Sequence, residues 1–445
     1  MPVDDALVAI LQTLWDIPPP GPSNRWSSSE FVTLKKWLEK NFRNGKPTLG
    51  LEVSIGNALR SLGLPCITSH LPNQPKPDLS QVAAALTHEF QRTSTRRRYL
   101  CPLDMAGDLP TFQFGNAKIG RFTAAELEVF FDVSRLERCH PEIPLDSSRL
   151  SQFHWLVVEE DISVRSESGL RRFSWLDFPD VKDMGEIVPY SGRSPQAVER
   201  ALFFLLLAPW EDWAEMPEMD WRGFQMPWIY TLDDDLCSFP PAPPAPERLS
   251  WEPYSYQIDH DEWEECERPL ELPGSASTKD VSEALNRVWS LLQPPSTLQS
   301  ELFSTPIEHF LVRAFLSDGI DEVMAHLIVI EAAFGTEGDA KYNRRKRLSR
   351  DNHQEGGTRR VAARLSAAIM EPGAAKQYLD LYDMRCTYVH GRPERRIIST
   401  EQRVLARRLA RQAVNALVRL AHRQESREEV LLHLLDRGAV NLPSK

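Results

Sequence analysis

Five of the eight residues in Phe239-Pro-Pro-Ala-Pro-Pro-Ala-Pro246 are proline, in a chain of 445 residues. Proline fixes φ and removes the backbone N–H, so this stretch favours extended polyproline geometry and cannot supply a regular hydrogen-bond ladder. The chain is also longer than one core usually organises. The segment therefore predicts a break between domains: a front module over 1–238, a connector over 239–277 that is Pro-rich and then acidic, and a back domain over 278–445. The acidic stretch Asp259-His-Asp-Glu-Trp-Glu-Glu-Cys-Glu267 reads as irregular chain, able to drape over another surface.

The expected class is α+β. In the front module, apolar residues at helical spacing predict helices over Ala6–Trp15, Glu30–Phe42 and Leu79–Phe90. From Arg98 to Tyr190 the pattern changes to short aromatic and β-branched runs, Phe112–Phe114, Val129–Val133, Phe153–Val158 and Phe173–Trp175, which predict strands. Ser194-Pro195 then reads as the start of a buried helix over Gln196–Ala208. Trp210, Trp213, Trp221 and Trp228 cluster after it; they suit an irregular core better than a stacking platform.

The back domain is expected to be a compact helical bundle. Val281–Leu292, Thr305–Leu316, Asp321–Phe334, Arg359–Met370, Ala374–His390 and Thr400–His422 each carry apolar residues at steps of three and four.

Net charge is −11, unevenly spread. Residues 279–445 hold 26 Lys and Arg against 21 Asp and Glu, a net of +5, which leaves −16 for the first 278. A polyanion would be drawn to the back half. The six cysteines include no C-x-x-C pair, which argues against a zinc ribbon or a secreted disulfide framework and fits a reducing cytoplasm. The acidic start Met1-Pro-Val-Asp-Asp5 is unlike a signal peptide, and the longest strongly apolar run, Ala201–Ala208, is far short of the roughly 20 residues a membrane span needs. No phosphate-binding loop and no G-x-S-x-G elbow is present. Asp233-Asp-Asp235 and Asp259-His-Asp261 offer carboxylates but lie at the connector, so neither a metal nor a cofactor is expected.

The chemistry-bearing feature is Arg385 and His390 within Leu381-Tyr-Asp-Met-Arg-Cys-Thr-Tyr-Val-His-Gly391. It pairs a permanent cation with the side chain that titrates near neutrality, a minimal kit for cleaving a phosphodiester. Gly391 and Pro393 would stop the helix, placing His390 in its last turn, where the helix dipole favours imidazolium. Five positions along a helix is a rotation of about 140°, so the two groups do not share one face of a straight helix. Distortion at the terminus or a second copy would have to bring them together.

This R-x4-H-G string, with the Tyr382-Asp383 lead-in, the long helix after it and the upstream Leu327-Ile-Val-Ile-Glu-Ala-Ala-Phe334, resembles the signature of the HEPN superfamily, in its Apea-like branch, over roughly residues 295–425. The resemblance implies a helical domain that dimerises with two motifs facing one cleft. It also implies metal-independent RNA cleavage, in which the ribose 2′-hydroxyl attacks the adjacent phosphorus to leave a cyclic phosphate and a 5′-hydroxyl. His390 would act as base or acid and Arg385 would neutralise charge on the phosphoryl oxygens. Prokaryotic antiviral defence or a toxin system that arrests growth would be the setting, with the front module sensing an unknown trigger. Glu331 would orient Arg385 or His390, and Tyr382, Asp383 and Tyr388 would stand behind them or touch RNA. Cys386 departs from the small polar residue common after the Arg, and its thiol is a weak donor. That leaves the alternative of an inactive domain that dimerises or binds RNA while the front half carries the activity. The cations Arg344, Arg345, Lys346, Arg347 and Arg350, with Arg359 and Arg360 nearby, are candidates to hold RNA phosphates. Arg403, Arg407, Arg408 and Arg411 form a second basic face, read as solvated or partner-facing.

Overall fold

A computed structural model describes residues 4–15, 28–42, 50–64, 77–165, 171, 194–216, 219–259, 262–272, 274–293, 296–339, 354–389, 397–423 and 425–444. The fold is mixed α and β, with antiparallel strands. The chain divides into two compact units. Unit 1 comprises Met1–Leu103, Gly115–Glu186 and Pro227–Pro269; unit 2 comprises Asp104–Phe114, Ile187–Met226 and Leu270–Lys445.

Unit 1 begins with four helices, α1 (Asp5–Trp15), α2 (Ser29–Phe42), α3 (Leu51–Ser61) and α4 (Leu79–Gln91). Leu7, Leu11, Phe31, Leu34, Ile55, Leu59, Leu86 and Phe90 fill a core between them. The antiparallel strands Ala117–Arg121, His154–Ser163, Ser94–Leu103 and Tyr230–Asp233 follow one another in that order across a sheet. Its second core gathers Leu100, Phe131, Trp155, Val157 and Tyr230. The polar end of the sheet is laced by charge: Arg98 Nε donates to Glu159 at 2.8 Å and Arg97 to Asp233 at 2.6 Å.

Three expectations change here. Val129–Val133, read as a strand from its β-branched and aromatic content, is helical. Thr123 and Glu126 form a capping box that starts α5 (Ala124–Phe131), and Asp132, at φ +48°, joins it to α6 (Val133–Cys139). Two reciprocal cap bonds and the left-handed joint outweigh local strand preference. The Pro-rich segment is not where the compact units divide. Pro240, Pro243, Pro244 and Pro246 are buried in unit 1. Their carbonyls, which proline keeps, accept side-chain bonds: Tyr230 Oη donates to Pro241 O at 2.8 Å and Trp251 Nε1 to Pro246 O at 2.8 Å. The acidic stretch beyond them is a β-hairpin, Trp251–Asp259 with Glu262–Pro269. Within unit 1, Glu267 pairs with Arg149 at 2.9 Å and Glu252 with Arg268 at 2.6 Å. Phe112–Phe114 lies in a strand and Phe153–Val158 does from His154 on, whereas Phe173–Trp175 falls outside the described residues.

Unit 2 is mainly helical. After a short helix α7 (Ser147–Leu150) in unit 1, it contributes α8 (Gln196–Leu205), α9 (Thr278–Leu292), α10 (Ser296–Gln299), α11 (Ile307–Phe315), α12 (Gly319–Phe334), α13 (Gly357–Ile369), α14 (Ala374–Val389), α15 (Thr400–Ala421) and α16 (Arg427–Gly438). Capping boxes at Ser277/Asp280 and Ser399/Gln402 start α9 and α15. Helix α15 is the central strut, with Leu409, Val414, Leu417 and Val418 buried against its neighbours. Helices α13 and α16 approach so closely that a Cβ on Gly438 would lie 1.8 Å from the Ala363 carbonyl oxygen.

The residues Arg403, Arg407 and Arg411, read as a basic face, are turned inward. Glu322, fully buried on α12, receives Arg222 at 3.1 Å, Arg403 at 2.6 Å and Arg407 at 2.5 Å. Asp220 binds the same three arginines at 3.0, 2.6 and 2.7 Å. Arg411 is held by Glu211 and Asp212 at 2.6 and 2.9 Å, and Arg408 reaches Asp212 at 3.1 Å. One turn from Glu322, His326 is buried; burial, with Arg407 and Arg222 nearby, pushes its imidazole well below the ordinary value and keeps it neutral. Because Glu211, Asp212 and Asp220 meet arginines of α15 in this way, residues 211–216 and 219–222 fold with the back helices and not with the front module.

Removing one member of so buried a network strands the rest. Glu322→Ala should destabilise the protein by about 3–5 kcal/mol in urea unfolding, a loss typical of broken buried pairs. Burial alone would raise Asp220, but Arg407 and Arg222 hold its carboxyl down at about 2. A depressed carboxylate contributes stability above its unfolded pKa, near 3.9, and loses it as pH falls through the folded value. Asp220→Asn should therefore lower the unfolding midpoint at pH 7, with the deficit shrinking between about pH 4 and pH 2.

Candidate functional site

Helix α14 sorts its side chains by helical spacing. Tyr378, Leu381, Met384 and Thr387 are buried, Asp380 and Asp383 face solvent, and Tyr382, Arg385 and Cys386 lie half-buried at the edge between. At that edge α14 meets α12. Arg385 Nη1 donates to Glu331 Oε1 at 3.0 Å, with about a quarter of the Arg385 side chain and a third of the Glu331 side chain exposed. The guanidinium also lies 5.4 Å from the centre of the Tyr382 ring, a cation–π contact from the preceding turn. Tyr382 in turn packs against Tyr378, ring centres 6.1 Å apart.

The local electrostatics follow from burial. Burial raises the Glu331 carboxyl above the ordinary carboxylate range, against the opposing pull of Arg385. Tyr378, fully buried, has its phenol pushed well up, first by burial and then by the Glu331 charge. The cluster thus holds a permanent cation and a carboxyl poised to take a proton more readily than usual, with a buried neutral phenol behind them. Such a set can bind an anionic group while its carboxylate holds the cation in place.

Of the residues singled out in the sequence, the structure brings Arg385, Glu331 and Tyr382 into one cluster. Cys386 is half-buried with a free thiol on the same helix, Tyr388 is half-buried, and Asp383 is exposed. His390 and the cations Arg344, Arg345, Lys346, Arg347 and Arg350 lie outside the described residues. Arg359 and Arg360, grouped with those cations, have internal partners: Arg359 pairs with Glu355 and Arg360 with Asp339, both at 2.7 Å. The sequence reading missed Tyr378. Its place four residues before Tyr382 and seven before Arg385 is a same-face spacing that was open to view.

The aspartate run Asp233–Asp235 resolves into three separate ion pairs in unit 1. Arg97 takes Asp233 at 2.6 Å, Arg92 takes Asp234 at 2.7 Å, and Arg171 takes Asp235 at 2.6 Å. Glu89, Asp235 and Cys237 approach one another at metal-ligand spacing, all buried. Arg171 also reaches Glu89, at 2.7 Å, so a guanidinium already supplies the positive charge between the two carboxylates. Asp259-His-Asp261 lies partly outside the described residues. Among the described residues no helix is long and apolar enough to cross a membrane.

No protein-family model, no curated protein and no solved structure matches this chain.

Arg171→Met should leave Glu89 and Asp235 as facing like charges in a buried place. Burial and the Asp235 charge already raise Glu89. The variant is expected to lose about 3–5 kcal/mol at pH 7 and to regain part of it at pH 5, where one carboxyl takes up a proton. Urea titrations at the two pH values test this.

Proposed function

We propose that the protein is a metal-independent endoribonuclease of HEPN type. The observation that supports this reading best is the partly exposed Arg385, fixed by Glu331 across two packed helices and backed by Tyr382. It stands five residues before His390 in the motif. Arg385 gathers the charge developing on the phosphoryl oxygens, and Glu331 keeps its guanidinium in one orientation, so that it need not reorganise as the charge forms. His390 takes the proton from the 2′-hydroxyl or returns one to the leaving 5′-oxygen. The attack closes the cyclic phosphate as the P–O5′ bond breaks, and no metal is needed for the balance. A homodimer would set two such motifs over one RNA strand, since one straight helix cannot turn both groups to the same side. In a prokaryotic cell such an activity would serve antiviral defence or growth arrest. Residues before the helical bundle would then answer to a trigger.

Total cellular RNA incubated with the protein in EDTA should yield fragments ending in cyclic phosphates. Arg385→Ala should reduce cleavage by about 10²–10³-fold, the scale for loss of one charge-stabilising group. His390→Ala should reduce it by about 10²–10⁴-fold. Glu331→Gln should retain the fold by circular dichroism and lose about tenfold, since it removes orientation rather than the reacting charge. RNA retained on the protein without cleavage, unchanged by His390→Ala, would replace the enzyme with an RNA-binding or dimerisation module.

A further inference from the structure

Tyr378 carries a polar atom that the contacts of the fold leave unused. The residue is fully buried on α14, and its Oη has no hydrogen-bond partner among the described residues. A buried hydroxyl in that state has lost its hydration and gained no bond, so native structures seldom keep one. Phenylalanine would fill the same space without the loss.

Its neighbours show where an acceptor can come from. Tyr378, Tyr382 and Arg385 follow one another along α14 at steps of four and three, so they share one side of the helix, with side chains leaning toward its N-terminus. Arg385 accordingly lies 5.4 Å from the centre of the Tyr382 ring, and the Tyr382 ring lies 6.1 Å from that of Tyr378. From α12, Glu331 Oε1 accepts from Arg385 at 3.0 Å. After burial itself, Glu331 is the group that acts most on the Tyr378 phenol, ahead of Tyr382, Arg385 and Cys386. Burial also leaves the Glu331 carboxyl short of hydration and raises it, against the pull of Arg385. An unused donor therefore sits beside a carboxylate, a group with two acceptor oxygens.

A phosphate arriving at Arg385 changes what Glu331 needs. The guanidinium charge is then shared between two anions, and their like charge drives the Glu331 carboxyl toward taking a proton and releasing the arginine. A second donor to Glu331 opposes that release. We propose that Tyr378 is a positioning residue for phosphate binding: with a phosphodiester on Arg385, the Tyr378 hydroxyl donates to Glu331 and keeps that carboxylate charged and holding the guanidinium. The empty site bears an idle hydroxyl, and the occupied site uses it. The inference rests on the reading of Arg385 as the phosphate-binding cation of the proposed ribonuclease, and it needs no cleavage step.

A labelled single-stranded oligodeoxynucleotide supplies phosphodiesters without the attacking 2′-hydroxyl, so anisotropy titration of the full-length protein reads binding apart from cleavage. Arg385→Ala should weaken binding by about tenfold or more, the scale of a charge-assisted contact. Tyr378→Phe should weaken it by about tenfold, the scale of one hydrogen bond to a charged group, while its urea midpoint stays equal to the parent's or rises, because an idle buried hydroxyl has gone. A hydroxyl that merely supported the fold would move the midpoint down instead. In a Glu331→Ala background, adding Tyr378→Phe should change affinity by less than about twofold, since the hydroxyl acts through that carboxylate. A lower urea midpoint in Tyr378→Phe, unchanged affinity in that variant, an equal effect in the Glu331→Ala background, or binding by the parent that is absent or indifferent to Arg385→Ala would each overturn the proposal. The expected binding pattern with RNA left intact would remove the ribonuclease reading and uphold the role of Tyr378.

Discussion

The Glu322 carboxylate is the group on which unit 2 depends. A buried charge is tolerated only when it is paired and hydrogen-bonded, and Glu322 is satisfied by guanidinia from Arg222, Arg403 and Arg407. Those arginines sit on a loop before the bundle and on the central helix α15, and Asp220 closes the same ring from the loop. The network therefore joins three distant stretches of chain in one arrangement, because any other register would leave several charges buried and alone. Arg364 repeats the device deeper in the bundle, donating to Phe334 O at 2.7 Å and pairing with Asp339 at 2.5 Å. Burial would raise Asp339, yet Arg364 and Arg360 keep it below the usual carboxylate range.

Unit 1 is closed by arginines used another way. Arg135 is buried and spreads its guanidinium over backbone carbonyls, reaching Asp233 O, Asp235 O and Ser238 O at 2.6 to 2.7 Å. Those carbonyls lie just before the Pro-rich segment, so the chain enters it already fixed. A backbone poor in donors then suits this place, because its neighbours are themselves donors: the tyrosine and tryptophan that meet the proline carbonyls.

Against these structural arginines, Arg385 stands out by its setting. Arg222, Arg364 and Arg407 are nearly enclosed and each is shared among several carboxylates or carbonyls, while Arg385, a quarter exposed, has Glu331 as its one carboxylate partner among the described residues. On the ribonuclease reading proposed above, that access is what would let Arg385 meet an incoming phosphate. Tyr382 and Tyr378 line its helix-side flank, which limits the directions the guanidinium can take.

Much of the helical content was legible in the sequence, because period is a local property: the apolar spacing of α12, α14 and α15 marks those helices within two residues, whereas α9 begins three residues before the expected Val281, at a Ser277 cap that the spacing did not show. Arg385 and His390, and Glu331 two helices earlier, were likewise open to view as residue types at suggestive spacing. What the sequence alone did not determine was which charges face water. Arg403, Arg407 and Arg411 have the same periodicity whether solvated or buried, and only their meeting with Asp220, Glu322, Glu211 and Asp212 decides it. The Pro-rich stretch shows the same limit, since composition tells that it lacks donors but not that Tyr230 and Trp251 would supply them. Val129–Val133 is the converse case, where a cap several residues upstream overrode local preference. Sequence fixes period, chain stiffness and the inventory of charges; tertiary structure decides their partners, because pairing over nearly two hundred residues depends on which surfaces have already packed.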